Sequence, residues 1–179
     1  ITTQDLNIFS NNLTLKIGKK KKLVFLICDN VIGSVLGYLS LLTSRHVPVM
    51  LDKSISYENL KNLIDIYNPD FIWCPNNMRF DKNIKFAYFK YKLVTLNNKI
   101  KKHIHDDLCL LASTSGSTGS PKFVRQSFDN ITSNTKSILR TLPITHKDIT
   151  ITTLPMSYTF GMSIINTHIS KNSTIILNN

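Results

Sequence analysis

Acidic residues, arginine and cysteine are all scarce in this 179-residue sequence, and each shortage excludes something. Eleven Asp and Glu face 22 Lys and Arg, a net charge of +11. Only four of those 22 cations are arginine. Arginine is the side chain that reads bases and phosphates bidentately, so its scarcity argues against a sequence-reading nucleic-acid surface. The runs Lys19–Lys22 and Lys99–Lys102 (broken by Ile100) each precede a strand-like segment and read as solvated turns. A basic face can still attract anionic substrates. Cys28, Cys74 and Cys109 are odd in number and scattered, with no C-x-x-C pair. That removes the basis for a disulfide framework or a zinc site. Two of the three lie in apolar runs and read as small hydrophobes. His103 and His105 beside Asp106 and Asp107 fit a polar loop better than a metal site. No apolar run reaches the roughly 18 residues of a membrane span. Val31–Leu42 therefore reads as a buried helix. Lys19–Lys22 followed by Leu23–Cys28 mimics a signal peptide, but Asp29-Asn30 interrupts it and no small-residue cleavage site follows. A cytoplasmic protein is expected.

What is present is concentrated in one segment. The apolar run Leu108–Ala112 leads into Ser113-Thr114-Ser115-Gly116-Ser117-Thr118-Gly119-Ser120-Pro121-Lys122. Gly116 and Gly119 permit positive φ and close backbone approach to a ligand. Successive N–H groups in such a turn form an anion-binding concavity. The Ser and Thr hydroxyls add donors, and Lys122 adds a point charge behind the rigid Pro121. These groups together suit a phosphate chain. A flexible Ser/Gly linker has similar composition, but a linker would not follow a strand-like run and precede a helix-like one. The spacing excludes G-x-x-x-x-G-K-[ST] and G-x-G-x-x-G, which sets aside P-loop and Rossmann dinucleotide sites.

Thr114–Lys122 resembles the AMP-binding signature of the adenylate-forming enzymes, which include acyl-CoA synthetases and the adenylation domains of peptide synthetases. Leu154-Pro155-Met156-Ser157-Tyr158-Thr159-Phe160-Gly161-Met162 is similar to that family's next motif. Leu36–Leu42 through Val47–Asp52 resembles its upstream helix-to-strand segment, so the resemblance runs from about Lys22 to Leu177. Three positions depart from the pattern. Phe123 stands where Gly is usual, and Phe128 and Tyr158 stand where His is common. Tyr158 can stack or hydrogen-bond but does not titrate near neutral pH. These departures bear on the substrate class more than on the nucleotide chemistry.

The pattern along the chain predicts an α/β fold, a mainly parallel sheet with helices on both faces. Ile1–Gly18 is poorly periodic. Leu23–Cys28 reads as a strand buried on both faces, and Asp29-Asn30 as a turn and N-cap for a helix to about Thr43. Val47–Leu51 is a strand, Ser54–Glu58 supplies start signals for a helix with Leu60, Leu63, Ile64 and Tyr67 at helical spacing that Asn68-Pro69 ends, and Phe71–Trp73 is a strand. Pro75–Lys85 reads as a loop and Phe86–Leu96 as one or two strands. Leu108–Ala112 is the strand that presents the phosphate loop. Ser127 N-caps a helix to about Leu142; strand Ile149–Leu154, helix Phe160–Ser170 and strand Thr174–Leu177 follow. Residues 1–179 read as one incomplete α/β region. About 1–148 form a first subdomain, and 149–179 begin a second.

The resemblance implies the large N-terminal domain of an ATP-dependent carboxylate ligase. An acid is activated as acyl-adenylate with release of pyrophosphate, then passed to an acceptor thiol such as coenzyme A or a carrier. Thr114, Ser115, Gly116, Ser117, Thr118, Gly119 and Lys122 would bind ATP, which acts with Mg2+. Tyr158 and Gly161 would line the acid side, and no residue of the chain is assigned as a metal ligand. The adenine and ribose contacts, the C-terminal domain and its catalytic lysine would lie beyond Asn179, so the fragment alone is expected to be inactive. The competing reading is a non-catalytic nucleotide- or nucleic-acid-binding basic module. Steeply salt-dependent nucleic-acid binding would mark it.

Overall fold

The computed structural model describes residues 2–80, 83–96, 103–113 and 122–178. A seven-stranded sheet has the order β4-β5-β3-β1-β2-β6-β7. Its centre is parallel: β1 (Leu23–Cys28) lies between β2 (Val47–Asp52) and β3 (Phe71–Pro75), and β2 pairs in turn with β6 (Leu108–Ser113). Antiparallel strands close both edges: β5 (Tyr91–Thr95) and β4 (Ile84–Tyr88) on one side, β7 (Phe123–Ser127) on the other. A separate parallel pair joins β8 (Ile149–Thr152) to β9 (Thr174–Leu177).

Alternation along β1 builds two cores. Val24, Leu26 and Cys28 face one cluster with helices α1 (Thr3–Ile17) and α2 (Ile32–Thr43). Leu23, Phe25 and Ile27 face the other, with Leu60 and Leu63 of α3 (Tyr57–Tyr67). Period-2 side-chain placement in a strand covered on both faces requires this division. The sequence reading of a mainly parallel α/β sheet with helices on both faces therefore holds. Among the described residues no helix is long and apolar enough to cross a membrane.

Three local readings change and one is narrowed. Residues 3–17 form a helix: Thr2 and Asp5 make a capping box, and Phe9, Leu13 and Ile17 recur every four residues on its buried stripe. Its polar remainder, rich in Asn and Thr, hid that stripe. Residues 86–96 resolve into two strands, turned by Phe89 and Lys90 at φ 45° and 60°, the positive pair of a primed hairpin turn. Phe123–Ser127, to which the sequence pattern assigns no element, is a strand that leads directly into α4 (Phe128–Thr141). Its pairing with β6 supplies hydrogen bonds that local propensity does not reveal. Val31, not Asn30, is the N-cap of α2. Ser127 does cap α4 (Phe128–Thr141), through a capping box with Asn130.

Helix α2 lies unusually close to the sheet. A Cβ on Gly37 would stand 2.3 Å from Nε1 of Trp73, and one on Gly33 2.6 Å from the Phe89 carbonyl. All three cysteines are buried and unpaired. Burial pushes the Cys74 thiol up to about 12 and the Cys109 thiol up to about 11. They are small core residues, not nucleophiles.

His46 is 1% exposed, and neither ring nitrogen has a hydrogen-bond partner. Burial pushes its pKa down from 6.5 to about 4; Asp70 opposes the fall and Lys22 adds to it. The unfolded chain therefore takes up a proton before the folded one does. Stability is full above about pH 6.5 and declines toward pH 4, by on the order of 2 kcal/mol. Denaturant midpoints at pH 7.5 and 5 should show this loss, and His46→Met should remove most of it. An equal slope in the variant would assign the loss to other groups.

Candidate functional site

The carboxyl ends of β1, β2 and β6 leave one edge of the sheet, where open α/β sheets bind ligands. Parallel registry sets their heights: Cys28 pairs with Asp52, and Met50 with Ala112. The Ser/Thr/Gly segment thus leaves β6 one strand away from Asp52. Ser113 pairs with Phe123 across the β6–β7 ladder. Thr114, Ser115, Gly116, Ser117, Thr118 and Gly119 lie outside the described residues. Lys122 is described, and its side chain is exposed beside the start of β7.

The second motif approaches the same edge. After β8 the chain bends through Leu154-Pro155-Met156-Ser157, and Tyr158 is the N-cap of α5 (Thr159–Ser170). Tyr158 is 45% exposed, whereas Met156 and Ser157 are fully buried. Gly161, in the first turn of α5, is buried against the motif's own backbone. A Cβ there would lie 2.4 Å from the Pro155 carbonyl oxygen and 2.8 Å from that of Leu154. The helix can start this close to the bend only with glycine at position 161.

Polar side chains tie this segment to the sheet. Asn30 Nδ2 donates to the carbonyls of Thr152 (3.3 Å) and Leu154 (3.1 Å), and its Oδ1 accepts from the Met156 amide (3.2 Å). Ser157 Oγ donates to Asp52 Oδ2 at 2.8 Å. The other carboxylate oxygen of Asp52 accepts from the Ser54 amide and hydroxyl at 2.9 and 2.7 Å. Burial works to raise the Asp52 pKa. The hydrogen bonds from Ser54 and Ser157 and the charge of Lys53 outweigh it, so the carboxyl stays below its usual range. Lys53 also pairs with Asp29 at 2.9 Å. The sequence reading placed Asp29-Asn30 in a turn and missed this role. Nothing local marks an amide whose partners lie more than 120 residues away.

An apolar groove of about 600 Å3 separates α4 from α5. Ile131, Ile138 and Leu142 line one wall, Phe160, Met162 and Ile164 the other. Asn134 Nδ2 donates to Ser163 Oγ across it at 3.1 Å. Among the described residues no group of three or more His, Cys, Asp or Glu is placed to hold a metal ion. His103 and His105 belong to a surface loop, where Lys21 Nζ donates to the His105 and Asp106 carbonyls at 3.0 and 2.6 Å.

A family model described as "AMP-binding enzyme" matches residues 3–179. ATP-bound MatB from Rhodopseudomonas palustris superposes with a TM-score of 0.78 at 18% identity, over 97% of this chain and 38% of that one. The O-succinylbenzoate coenzyme A synthetase MenE from Bacillus subtilis, in complex with AMP, gives 0.75 at 19% identity, over 99% and 49%. The same enzyme with ATP and magnesium ion gives 0.74 at 18% identity, over 99% and 51%. The chain thus spans about half or less of the length of these solved structures, and the likeness at such identities is one of fold.

Proposed function

The chain belongs to the AMP-binding enzyme family, and on that premise we propose that it forms the N-terminal part of an ATP-dependent ligase that activates a carboxylic acid as its acyl-adenylate. The observation that carries this reading is that the described ends of the Ser113–Phe123 connection and the Leu154–Gly161 segment meet the same end of the sheet. The Ser113–Phe123 connection leaves β6, and Leu154–Gly161 is bonded to Asp52 on the adjacent strand β2. In this reading a carboxylate oxygen attacks the α-phosphorus of ATP, and the bond to the β-phosphate oxygen breaks. Charge builds on the departing pyrophosphate. Lys122 and the hydroxyls of Thr114, Ser117 and Thr118 would stabilise it, with the backbone at Ser115, Gly116 and Gly119 shaping the cradle. Magnesium enters with the nucleotide, held chiefly by phosphate oxygens. Tyr158 and Gly161 would border the acid. A thiol, coenzyme A or a carrier, would then attack the acyl carbon and release AMP.

We assign residues 1–148 to a first subdomain and 149–179 to the start of a second. The separate β8–β9 sheet supports that division. The lysine that would assist adenylation belongs, in this reading, to a C-terminal domain outside the 179 residues.

ATP–pyrophosphate exchange tests the proposal. Carried in a chain of full family length, these residues should exchange labelled pyrophosphate into ATP only when a suitable carboxylic acid is added. Lys122→Ala should lower that exchange roughly 100-fold. The isolated 179-residue chain should be silent. Absence of acid-dependent exchange across a broad acid panel would sink the ligase reading, and wild-type exchange by Lys122→Ala would remove the loop's assigned role.

A further inference from the structure

A single buried side-chain amide, Asn30, binds one backbone group at the end of β8 and two of the second motif, and from this junction we infer that Asn30 is the positioning residue that sets the placement of Tyr158. The inference rests on the ligase reading above and deepens it. Asn30 is 9% exposed, two residues past the end of β1. Its donors go to the Thr152 and Leu154 carbonyls and its acceptor to the Met156 amide, so one side chain grips five consecutive residues. The partners also set the amide's orientation. Turned over, its oxygen would face two carbonyls and its NH2 would face an N–H. Aspartate offers no donor, and leucine or alanine offers neither function. Carbonyls and amides left unpaired in this buried bend would carry the full desolvation penalty.

Neighbouring groups limit the segment in every other direction. Ser34 Oγ accepts from the Asp29 amide at 3.1 Å and lies 3.1 Å from Met156 Sδ. The backbone N–H of Asn30 donates to Asp29 Oδ1 at 2.8 Å, and Asp29 is held by Lys53. Ser157 is anchored on Asp52. Gly161 presses on the Leu154 and Pro155 carbonyls from the far side. The bend is thus clamped from the ends of β1 and β2 and from the first turn of α5. Tyr158 follows directly on the clamped residues. Asn30 acts through the backbone, away from the exposed face of Tyr158, so its effect is on where that ring stands.

Two measurements test this. In the 179-residue chain, the Met156 amide should exchange hydrogen roughly tenfold faster in Asn30→Leu and Asn30→Ala, which remove its acceptor, than in wild type, while β1 amides such as Phe25 change little. Unchanged Met156 protection would overturn the clamp. If either variant fails to fold, Ser157→Ala loosens the same bend more gently and should speed exchange at Met156 and Ser157. In a chain of full family length, Asn30→Asp should raise KM for the acid roughly tenfold and leave KM for ATP within about twofold. A purely structural role would lower the active fraction and leave both KM values alone, and that result would overturn the positioning role. Lack of exchange in the wild type would instead count against the ligase reading, with the Met156 measurement still deciding the clamp.

Discussion

Trp73→Ala should cost about 3–5 kcal/mol of folding stability, a large share of what a domain of this size has. Trp73 is fully buried on β3, and its Nε1 donates to the Gly33 carbonyl at 2.8 Å. Its ring meets Phe9 at 5.6 Å, Tyr91 at 5.8 Å and Phe86 at 6.2 Å between centroids. The indole therefore joins α1, α2 and the β4–β5 edge in one cluster. Truncation removes that contact area, opens a cavity that three elements would have to fill, and leaves the Gly33 carbonyl without its donor. Trp73→Phe keeps most of the area and loses the hydrogen bond, so it should cost about 1–2 kcal/mol. Urea midpoints at constant m-value measure both. Equal midpoints for Trp73→Ala and wild type would show that the aromatic cluster does not organise this core.

Gly161→Ala should have the next largest effect, about 2–3 kcal/mol, expressed around the second motif. The added carbon would sit 2.4 Å from the Pro155 carbonyl oxygen, far inside van der Waals contact. Side chains can rotate away from such a clash, but here the obstacle is backbone. Pro155 has a nearly fixed φ, and the Leu154 carbonyl is held by Asn30. Either α5 lifts off the bend or the Asn30 hydrogen bonds break. Both outcomes should speed amide exchange over residues 154–162 and lower the thermal midpoint. An unshifted midpoint with unchanged exchange would mean that the bend yields freely, and the rigidity argued for Tyr158 would fall with it. Glycine at this position is thus explained by packing on the motif itself, whatever further part it has beside a substrate.

Much of the architecture was legible locally. Leu23-Val24-Phe25-Leu26-Ile27-Cys28 is apolar at every position, and a strand covered on both faces is the structure that uses such a run. Ser127 announced the start of α4 as an N-cap, and the structure completes it as a capping box with Asn130. Phe123–Ser127 was not legible, because three of its five residues are polar and its strand character comes from β6. Helix α1 was concealed for a different reason. Its buried stripe is narrow, with Phe9, Leu13 and Ile17 set among Asn, Thr and Ser. The Ser/Thr/Gly/Lys segment and the Leu-Pro motif were recognisable from residue types and spacing.

The sequence by itself determined the strand and helix alternation, the phosphate-suited segment at Thr114–Lys122 and the family to which the chain belongs. Those properties follow from short-range patterns: period-2 and period-3.6 burial, turn residues, and a run of donors within ten positions. Only the tertiary structure decided that Asn30, Asp52 and Ser157 work together. Their partners are separated by 105 to 126 residues. No local preference can encode an amide's choice between capping its own helix and clamping a distant loop. That choice follows from parallel registry, which brings the ends of β1 and β2 level, and from the close approach at Gly161, which turns Leu154–Ser157 toward them.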